Sequence, residues 1–140
     1  MIIGDGPERD DLERRVRALN FPNLVFALPG YRSNARSLMA AFDALVMPSR
    51  YEGAPLTLNE AMTLGLPVVT STADSLSELC EQYEGGFAQC IDFSQDPDGI
   101  RLAKALSEAV NAGRSKPFVL CSVSSMVDQY EQIYNELTGN

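Results

Sequence analysis

Short apolar runs alternate with amphipathic helical patterns along this chain of 140 residues. The run ALVM at residues 44–47 is continuously apolar, which is typical of a strand covered by helices on both faces of a sheet. Parallel strands need a crossover connection, usually a helix, and such crossovers are right-handed. The alternation therefore predicts an α/β fold, with a Rossmann-like parallel sheet of about five strands and helices on both faces.

Each predicted element is bounded by a recognisable signal. Pro7 suits the first position of a helix that continues to Leu19, and Gly65 is a typical residue after a helix end. Ser75 and Glu78 have the spacing of a capping box. Strands are predicted at residues 2–3, 23–28, 44–47, 67–71 and 87–92, and helices at residues 7–19, 33–42, 57–64, 75–83, 97–112 and 122–137.

The first predicted strand is unusually short, because only Ile2 and Ile3 precede the glycine-rich turn at residues 4–7. The length of the chain suits one domain, and no internal repeat or long linker divides it. We therefore expect residues 1–140 to form a single domain that is a fragment, with a first strand–helix unit missing upstream.

Charge is distributed unevenly along the chain, which has 11 basic and 19 acidic residues and a formal net charge of −8. Residues 1–60 carry 7 arginines against 8 acidic residues, whereas residues 61–140 carry 4 basic and 11 acidic residues. An acidic half without a basic cluster argues against nucleic acid and against an anionic membrane surface as main partners. An anionic ligand is expected to prefer the first half.

Several residue types and patterns are missing from the sequence. There is no histidine, which excludes the commonest general base, the commonest zinc ligand and every Ser-His triad. Cys80, Cys90 and Cys121 show no CxxC pairing and predict reduced thiols in a cytoplasmic protein. No apolar run approaches the roughly 18 residues of a membrane span, and the N-terminus does not resemble a signal peptide. No metal-ligand cluster is visible in the sequence.

The stretch SRYEGAPLTLNEAM, residues 49–62, places two glutamates eight positions apart. Glu52 falls in the loop after a predicted strand, and Glu60 falls about one turn inside the next helix. Both carboxylates could accept hydrogen bonds from sugar hydroxyls. A purely structural interpretation stays open as well, in which Glu60 complements the helix dipole and Glu52 is a solvated loop residue.

The helix start between the two glutamates suits a phosphate. Gly53 lets the backbone come close to a ligand, and the first amides of a helix lack partners within it. These amides and the positive end of the helix dipole together favour an anion. The amides expected to be unpaired are those of Ala54, Leu56 and Thr57.

Two further stretches follow predicted strands, GDGP at residues 4–7 and LPGY at residues 28–31. In open parallel sheets, ligands bind beyond the carboxyl ends of the strands. GDGP is not the dinucleotide-binding fingerprint, because Arg9 occupies the third glycine position. As a simple strand-to-helix turn it would need no ligand.

Three segments resemble the C-terminal, donor-binding domain of retaining glycosyltransferases with the GT-B fold, family 4, also called group 1. They are IIGDGPERDDLE at residues 2–13, NLVFALPGY at residues 23–31 and residues 37–71, and the tail at 124–137 is similar to that family's closing helix. The specific part is the E-x7-E pattern within its frame of PS, EG, EAM and GLPVV. The resemblance covers nearly the whole chain.

The resemblance assigns a role to each glutamate. It implies that Glu52 is the catalytic residue, contacting the donor sugar near the reacting carbon, and that Glu60 binds the ribose hydroxyls. It also implies that backbone amides after Glu52 hold the diphosphate, that the glycine loop borders the donor cleft and that the second turn lies near the base. The other donor-binding positions implied are Gly4, Gly6, Tyr31, Gly53, Ala54, Leu56 and Thr57.

The implied parent enzyme is a hexosyltransferase-type retaining glycosyltransferase that transfers a sugar from a nucleoside diphosphate donor to an acceptor hydroxyl. Its acceptor-binding N-terminal domain is expected to be missing here, so the isolated chain is expected to be inactive. The family's closing helix leans toward that domain, so an exposed apolar patch and self-association are expected. The parent enzyme is expected to be cytoplasmic, with peripheral membrane association left open.

The chain departs from the family pattern at several positions. The usual Arg and Lys that neutralise the diphosphate would lie before GDGP and are absent, and Lys104 and Lys116 come too late in the chain. Ala54 stands where a bulky apolar residue is common, and Asp74 and Ser75 stand where two glycines are common.

Other functions stay open. A GT-B phosphorylase would need a cofactor lysine near the cleft, and a nucleotide-sugar epimerase of this fold would be expected to rely on histidine. A receiver-like or stand-alone nucleotide-binding module without catalysis is the remaining alternative. A receiver would need an aspartate at the end of its central strand, whereas Asp43 precedes the strand here.

Overall fold

The computed structural model describes residues 1–19, 21–82, 88–118 and 122–139. The chain divides into two compact units, Met1–Ala41 and Phe42–Asn140. Each unit is described by itself below. None of the described helices is both long enough and apolar enough to cross a membrane.

The first unit contains two helices and one isolated pairing of extended backbone. Helix α1 spans Arg9–Ala18 and helix α2 spans Ala35–Met39. Ile3 and Gly30 form a single parallel bridge, with the Gly4 amide donating to the Gly30 carbonyl at 3.0 Å. Gly30 has φ +77°, a left-handed conformation that favours glycine.

The strand expected at residues 23–28 is absent from the first unit, which corrects the sequence prediction. A parallel strand is normally covered on both faces, but Leu24, Val25 and Phe26 are exposed, Val25 at 94%. An apolar sequence does not by itself show that other residues cover these side chains. The helix expected at 33–42 is also shorter, and Asn34 precedes it without a side-chain capping bond.

The second unit is built around a three-stranded parallel sheet in the order β1–β2–β3. Strand β1 spans Leu45–Met47, β2 spans Val68–Ser71 and β3 spans Ala88–Ile91. Every residue of β2 is buried, as expected of the central strand. The parallel α/β architecture is confirmed, whereas three strands and one isolated bridge replace the expected five in the described residues.

Four helices complete the second unit. They begin and end close to the predicted positions, although a 3-10 turn at Phe93–Gln95 precedes the third of them and delays its start. In chain order they are α3 at Leu56–Thr63, α4 at Asp74–Gln82, α5 at Ile100–Ala112 and α6 at Val123–Thr138.

Helices α4 and α5 lie on opposite faces of the sheet. Ala105 and Ala109 of α5 pack with Val69 and Ile91, whose side chains share one face. Cys90 points to the other face, because side chains alternate along a strand, and it contacts Cys80 of α4. The prediction of helices on both faces is therefore confirmed for this sheet.

The two described cysteines are free thiols, in agreement with the sequence prediction. Burial, together with the neighbouring Cys90 thiol, raises the pKa of Cys80 to about 12. The Cys80 thiol is therefore neutral at pH 7 and acts as a small apolar group. Cys121 lies outside the described residues.

The predicted capping box at Ser75 and Glu78 is wrong. Helix α4 begins at Asp74, and the amides of Leu76 and Ser77 both donate to the Ala73 carbonyl, so Ser75 lies within the first turn. The Ser75 hydroxyl donates instead to the backbone carbonyl of Glu52, 23 positions earlier in the sequence.

The segment 113–118 binds the end of α3. The Ser115 amide donates to the Gly65 carbonyl at 2.9 Å, and the Phe118 amide donates to the Met62 carbonyl at 3.0 Å. A Cβ on Gly65 would lie 2.2 Å from the Ser115 carbonyl oxygen, and Gly65 has φ +62°. Both constraints require glycine at this helix end.

Arg114 adds two hydrogen bonds to the same region. Its guanidinium donates to the Leu64 carbonyl at 3.0 Å and to the Phe42 carbonyl at 2.7 Å. A guanidinium at a helix C-terminus satisfies carbonyls that have no partner within the helix. Segment 113–118, which follows α5, thus stabilises the end of α3 through both its backbone and the Arg114 side chain.

We predict that Gly65→Ala destabilises the protein by at least about 2 kcal/mol, because it combines a left-handed backbone with a clash against backbone. Gly99→Ala is the matched control, since Gly99 has φ +72° but nothing within 4 Å of its added Cβ. The control should cost only about 1 kcal/mol. Equal free energies of unfolding in urea for the two variants would contradict the proposed close approach.

Candidate functional site

The carboxyl ends of the three strands meet at one cavity of about 850 Å³ in the second unit. Three segments line it, each following a strand: residues 48–52 after β1, residues 71–73 at the end of β2 and residues 92–94 after β3. This edge of a parallel sheet is where α/β proteins bind ligands. A cavity therefore lies at the carboxyl ends of the strands, the edge at which the sequence analysis expected a ligand.

Glu52 lies on the wall of this cavity and is held by the protein on two sides. Its carboxylate oxygen Oε1 accepts a hydrogen bond from the Ser49 hydroxyl at 2.7 Å. Its backbone carbonyl accepts one from the Ser75 hydroxyl at 2.7 Å. Ser71, the last residue of β2, donates from its hydroxyl to the Ser49 carbonyl. The half-buried Glu52 carboxylate thus has a defined position at the cavity.

The start of α3 differs in one respect from the sequence prediction. Pro55 has φ −75° and ψ 81°, an inverse γ-turn, and the Leu56 amide donates to the Ala54 carbonyl at 2.8 Å. The expectation that the Leu56 amide is unpaired is therefore wrong. Gly53, Ala54, Leu56 and Thr57 are all exposed, so the helix start is accessible to a ligand.

Glu60 is the fifth residue of α3 and is half-buried. It is not among the described residues that line the 850 Å³ cavity, whereas Glu52 is. The two carboxylates of the motif are therefore not brought together on one wall of that cavity. A ligand that contacts both would have to extend from the cavity along the start of α3.

The glycine loop of the first unit lines a separate, smaller cavity of about 290 Å³. Gly4 and Gly6 lie on its wall, together with Arg9. The Arg9 guanidinium donates to the Leu28 carbonyl at 3.0 Å and pairs with Glu13, so its charge is engaged. Tyr31 is not among the described residues that line this cavity, and its side chain is exposed.

Sequence reasoning did not single out the residues that follow β2 and β3. Thr72, Asp92 and Ser94 all line the 850 Å³ cavity. The Ser94 hydroxyl at 2.6 Å and the Ser94 amide at 3.0 Å hold the pKa of Asp92 below its usual value. The sequence could have indicated these residues, because residues 71 and 92 end predicted strands, as residue 47 does.

The cavity carries both signs of charge. Arg50 lies on its wall beside Glu52, and Asp92 lies on the segment after β3. Within the described residues, no group of three or more Cys, Asp or Glu side chains could hold a metal ion. Hydroxyls, carboxylates and one guanidinium are groups that hydrogen-bond polyhydroxylated and anionic ligands.

Comparison with known proteins gives a consistent result. Residues 1–112 match the model of the family described as "Glycosyl transferases group 1". The chain is 32% identical to the O-antigen biosynthesis glycosyltransferase WclY of Escherichia coli, over 98% of this chain and 38% of that protein. It is 34% identical to the putative glycosyltransferase EpsF of Bacillus subtilis, over 83% of this chain and 29% of that protein.

A third relative is the glycogen synthase of Pseudomonas fluorescens, at 31% identity over 99% of this chain and 30% of that protein. No solved structure matches the chain. The chain spans between 29% and 38% of the length of these three relatives.

We predict that Ser94→Ala raises the pKa of Asp92, because the hydroxyl and amide of Ser94 stabilise the charged carboxylate and the variant removes the hydroxyl. Carboxyl carbon chemical shifts followed through an acid titration would report this. With the pKa depressed in the folded protein, the contribution of Asp92 to stability is lost as the pH falls through that folded value. Ser107→Ala, on α5 away from Asp92, should leave the Asp92 titration unchanged. An unchanged titration in Ser94→Ala would contradict the assignment.

Proposed function

The chain belongs to the glycosyl transferases group 1 family, and we propose that it forms the donor-binding domain of a retaining glycosyltransferase. The parent enzyme would transfer a sugar from a nucleoside diphosphate donor to an acceptor hydroxyl, with retention at the anomeric carbon. The observation that carries the proposal is the Glu52 carboxylate, held by Ser49 on the wall of a cavity at the carboxyl ends of the strands.

In this proposal the cavity receives the donor sugar. Glu52 orients the sugar and stabilises the positive charge that develops at the anomeric carbon when the bond to the diphosphate breaks. An enzyme carboxylate fixed in place before the reaction needs no reorganisation at the moment of bond cleavage. Thr72 and Ser94, on the segments that follow β2 and β3, supply hydroxyls for the sugar.

The diphosphate would bind at the start of α3. The exposed backbone from Gly53 to Thr57 offers amides, and the helix dipole adds positive potential there. The Leu56 amide would have to exchange its bond to Ala54 for one to the phosphate. Arg50 is a cation on the cavity wall, and it would offset part of the negative charge of the diphosphate.

Glu60 would bind the ribose hydroxyls farther along α3. Its position outside the cavity wall suits a donor whose sugar fills the cavity and whose nucleoside lies beyond the helix start. Gly4, Gly6 and Tyr31 of the first unit remain predicted donor-binding residues.

The chain would be part of the C-terminal, donor-binding domain of a family 4 enzyme of GT-B architecture, acting in the cytoplasm without a bound metal or other cofactor. Its coverage of 29% to 38% of the relatives' length suits a part of a longer enzyme. The acceptor would bind mainly to the remainder. We therefore propose that this chain alone binds donor but transfers no sugar.

We predict that the protein binds one class of nucleotide sugar and that Glu60→Ala weakens this binding by about 10- to 150-fold, as expected for losing a charged hydrogen bond. Isothermal titration with UDP-, GDP- and ADP-glucose would measure it. Glu131→Ala, which removes an exposed carboxylate from α6, is the matched control and should bind as the wild type does. Equal affinities of wild type and Glu60→Ala would overturn the assignment of the ribose site.

We also predict that α6 promotes self-association. Its apolar side chains at Met126, Tyr130, Ile133 and Leu137 recur on one face and are all exposed. Light scattering should show a mass that rises with protein concentration, and Ile133→Glu should abolish the rise. Asn135→Glu introduces the same charge on the opposite face and should not. A monomeric wild type at every concentration would contradict this prediction.

A further inference from the structure

We propose that Ser49, Ser71 and Ser75 are positioning residues that fix the loop 48–55 and, through it, the Glu52 carboxylate. The functional part of this inference rests on the proposed role of Glu52 in binding the donor sugar. The structural part concerns only the free protein. It follows from three hydroxyl hydrogen bonds that join segments far apart in the sequence.

The first anchor joins β2 to the start of the loop. The Ser71 hydroxyl donates to the Ser49 carbonyl, across 22 positions of sequence. Ser71 is the last residue of the buried central strand and is only 8% exposed. A donor on so rigid an element fixes the backbone where the chain leaves β1.

The second anchor joins α4 to the middle of the loop. The Ser75 hydroxyl donates to the Glu52 carbonyl at 2.7 Å, across 23 positions. Ser75 is the second residue of α4, and Leu76 beside it is fully buried in the core. The Ser75 hydroxyl therefore holds the backbone of Glu52, whose side chain lies on the cavity wall. A glycine at this position would lack the donor.

The third contact acts on the carboxylate itself. The Ser49 hydroxyl donates to Oε1 of Glu52 at 2.7 Å, and Ser49 is in turn held by Ser71. In the part of the chain that the structure describes, Oε2 of Glu52 accepts no hydrogen bond. One oxygen is thus held by the protein and the other is available to a sugar hydroxyl, which defines the direction of the ligand's hydrogen bond.

These contacts assign different tasks to different residues. Of these four residues, Glu52 is the one that would touch the sugar, whereas the three serines act through it. Loss of a serine should therefore weaken the binding of a nucleotide sugar more than the binding of the nucleoside diphosphate, which uses amides from Gly53 onward. A merely destabilising substitution would weaken both in parallel. The ratio of the two affinities is the diagnostic quantity.

The structural part is tested without any ligand. We expect Ser75→Ala to lower the backbone ¹⁵N order parameters of residues 50–53 from roughly 0.85 to below about 0.6. Ser75→Thr keeps the hydroxyl and should restore them. Ser77→Ala removes a hydroxyl from the same helix that makes none of these three bonds, and should change nothing. Unchanged order parameters in Ser75→Ala, or an equal fall in Ser77→Ala, would overturn the anchoring.

The functional part is tested by titrating UDP-glucose and UDP, or the corresponding pair for whichever nucleotide the wild type prefers. We expect Ser49→Ala to lower the affinity for the nucleotide sugar about tenfold and Ser75→Ala about fivefold, with a distinctly smaller loss for the nucleoside diphosphate. Parallel losses for both ligands, or none, would overturn the positioning role. Failure of the wild type to bind any nucleotide sugar would refute the proposed function and with it this role, while the order parameters would still decide the anchoring.

Discussion

Strand β2 is paired on both sides, and the rest of the second unit depends on this pairing. Because β1 and β3 run parallel to it, all three carboxyl ends lie at one edge of the sheet. Because Val68 and Val69 point to opposite faces, each face has an apolar surface, and α4 and α5 cover them separately. The cavity is a consequence of this arrangement, since three chain segments leave the sheet at the same edge.

The position of Glu52 is not set by the strand to which it is attached. Loop 48–55 contains no regular structure, and a loop of this kind would ordinarily sample many conformations. Hydroxyls from β2 and α4 restrict it from outside. The sheet therefore contributes twice to the site, first by directing the loop to the edge and then by supplying the donors that hold it.

The sequence predicted the features that depend on residues close together in the chain, and it missed features that depend on contacts between distant segments. The strands at 44–47 and 67–71 and the helices α3 and α6 were predicted within one or two residues, because continuous apolar runs and helical periodicity report burial directly. The apolar run at 23–28 misled, because its composition does not say whether another layer covers it. Ser75 misled for a related reason: its local spacing suits a capping box, but its partner is the distant Glu52 carbonyl.

The site followed the same rule. Glu52 was predicted as a site residue from a pattern of residues close in sequence, and it lies on the wall of the cavity. Asp92 and Ser94 reach the same cavity only because β3 pairs with β2, which a pattern of neighbouring residues does not encode. The engaged Leu56 amide depends on the backbone angles of Pro55, which residue type alone does not determine.

The contacts of segment 113–118 change where this domain should be considered to end. The family match stops at residue 112, which is also the last residue of α5. A boundary drawn there would remove Arg114 and Ser115, whose hydrogen bonds complete the C-terminus of α3. Helix α3 begins beside the cavity and ends against this segment, so shortened versions of the protein for crystallisation or for domain exchange should retain residues 113–118.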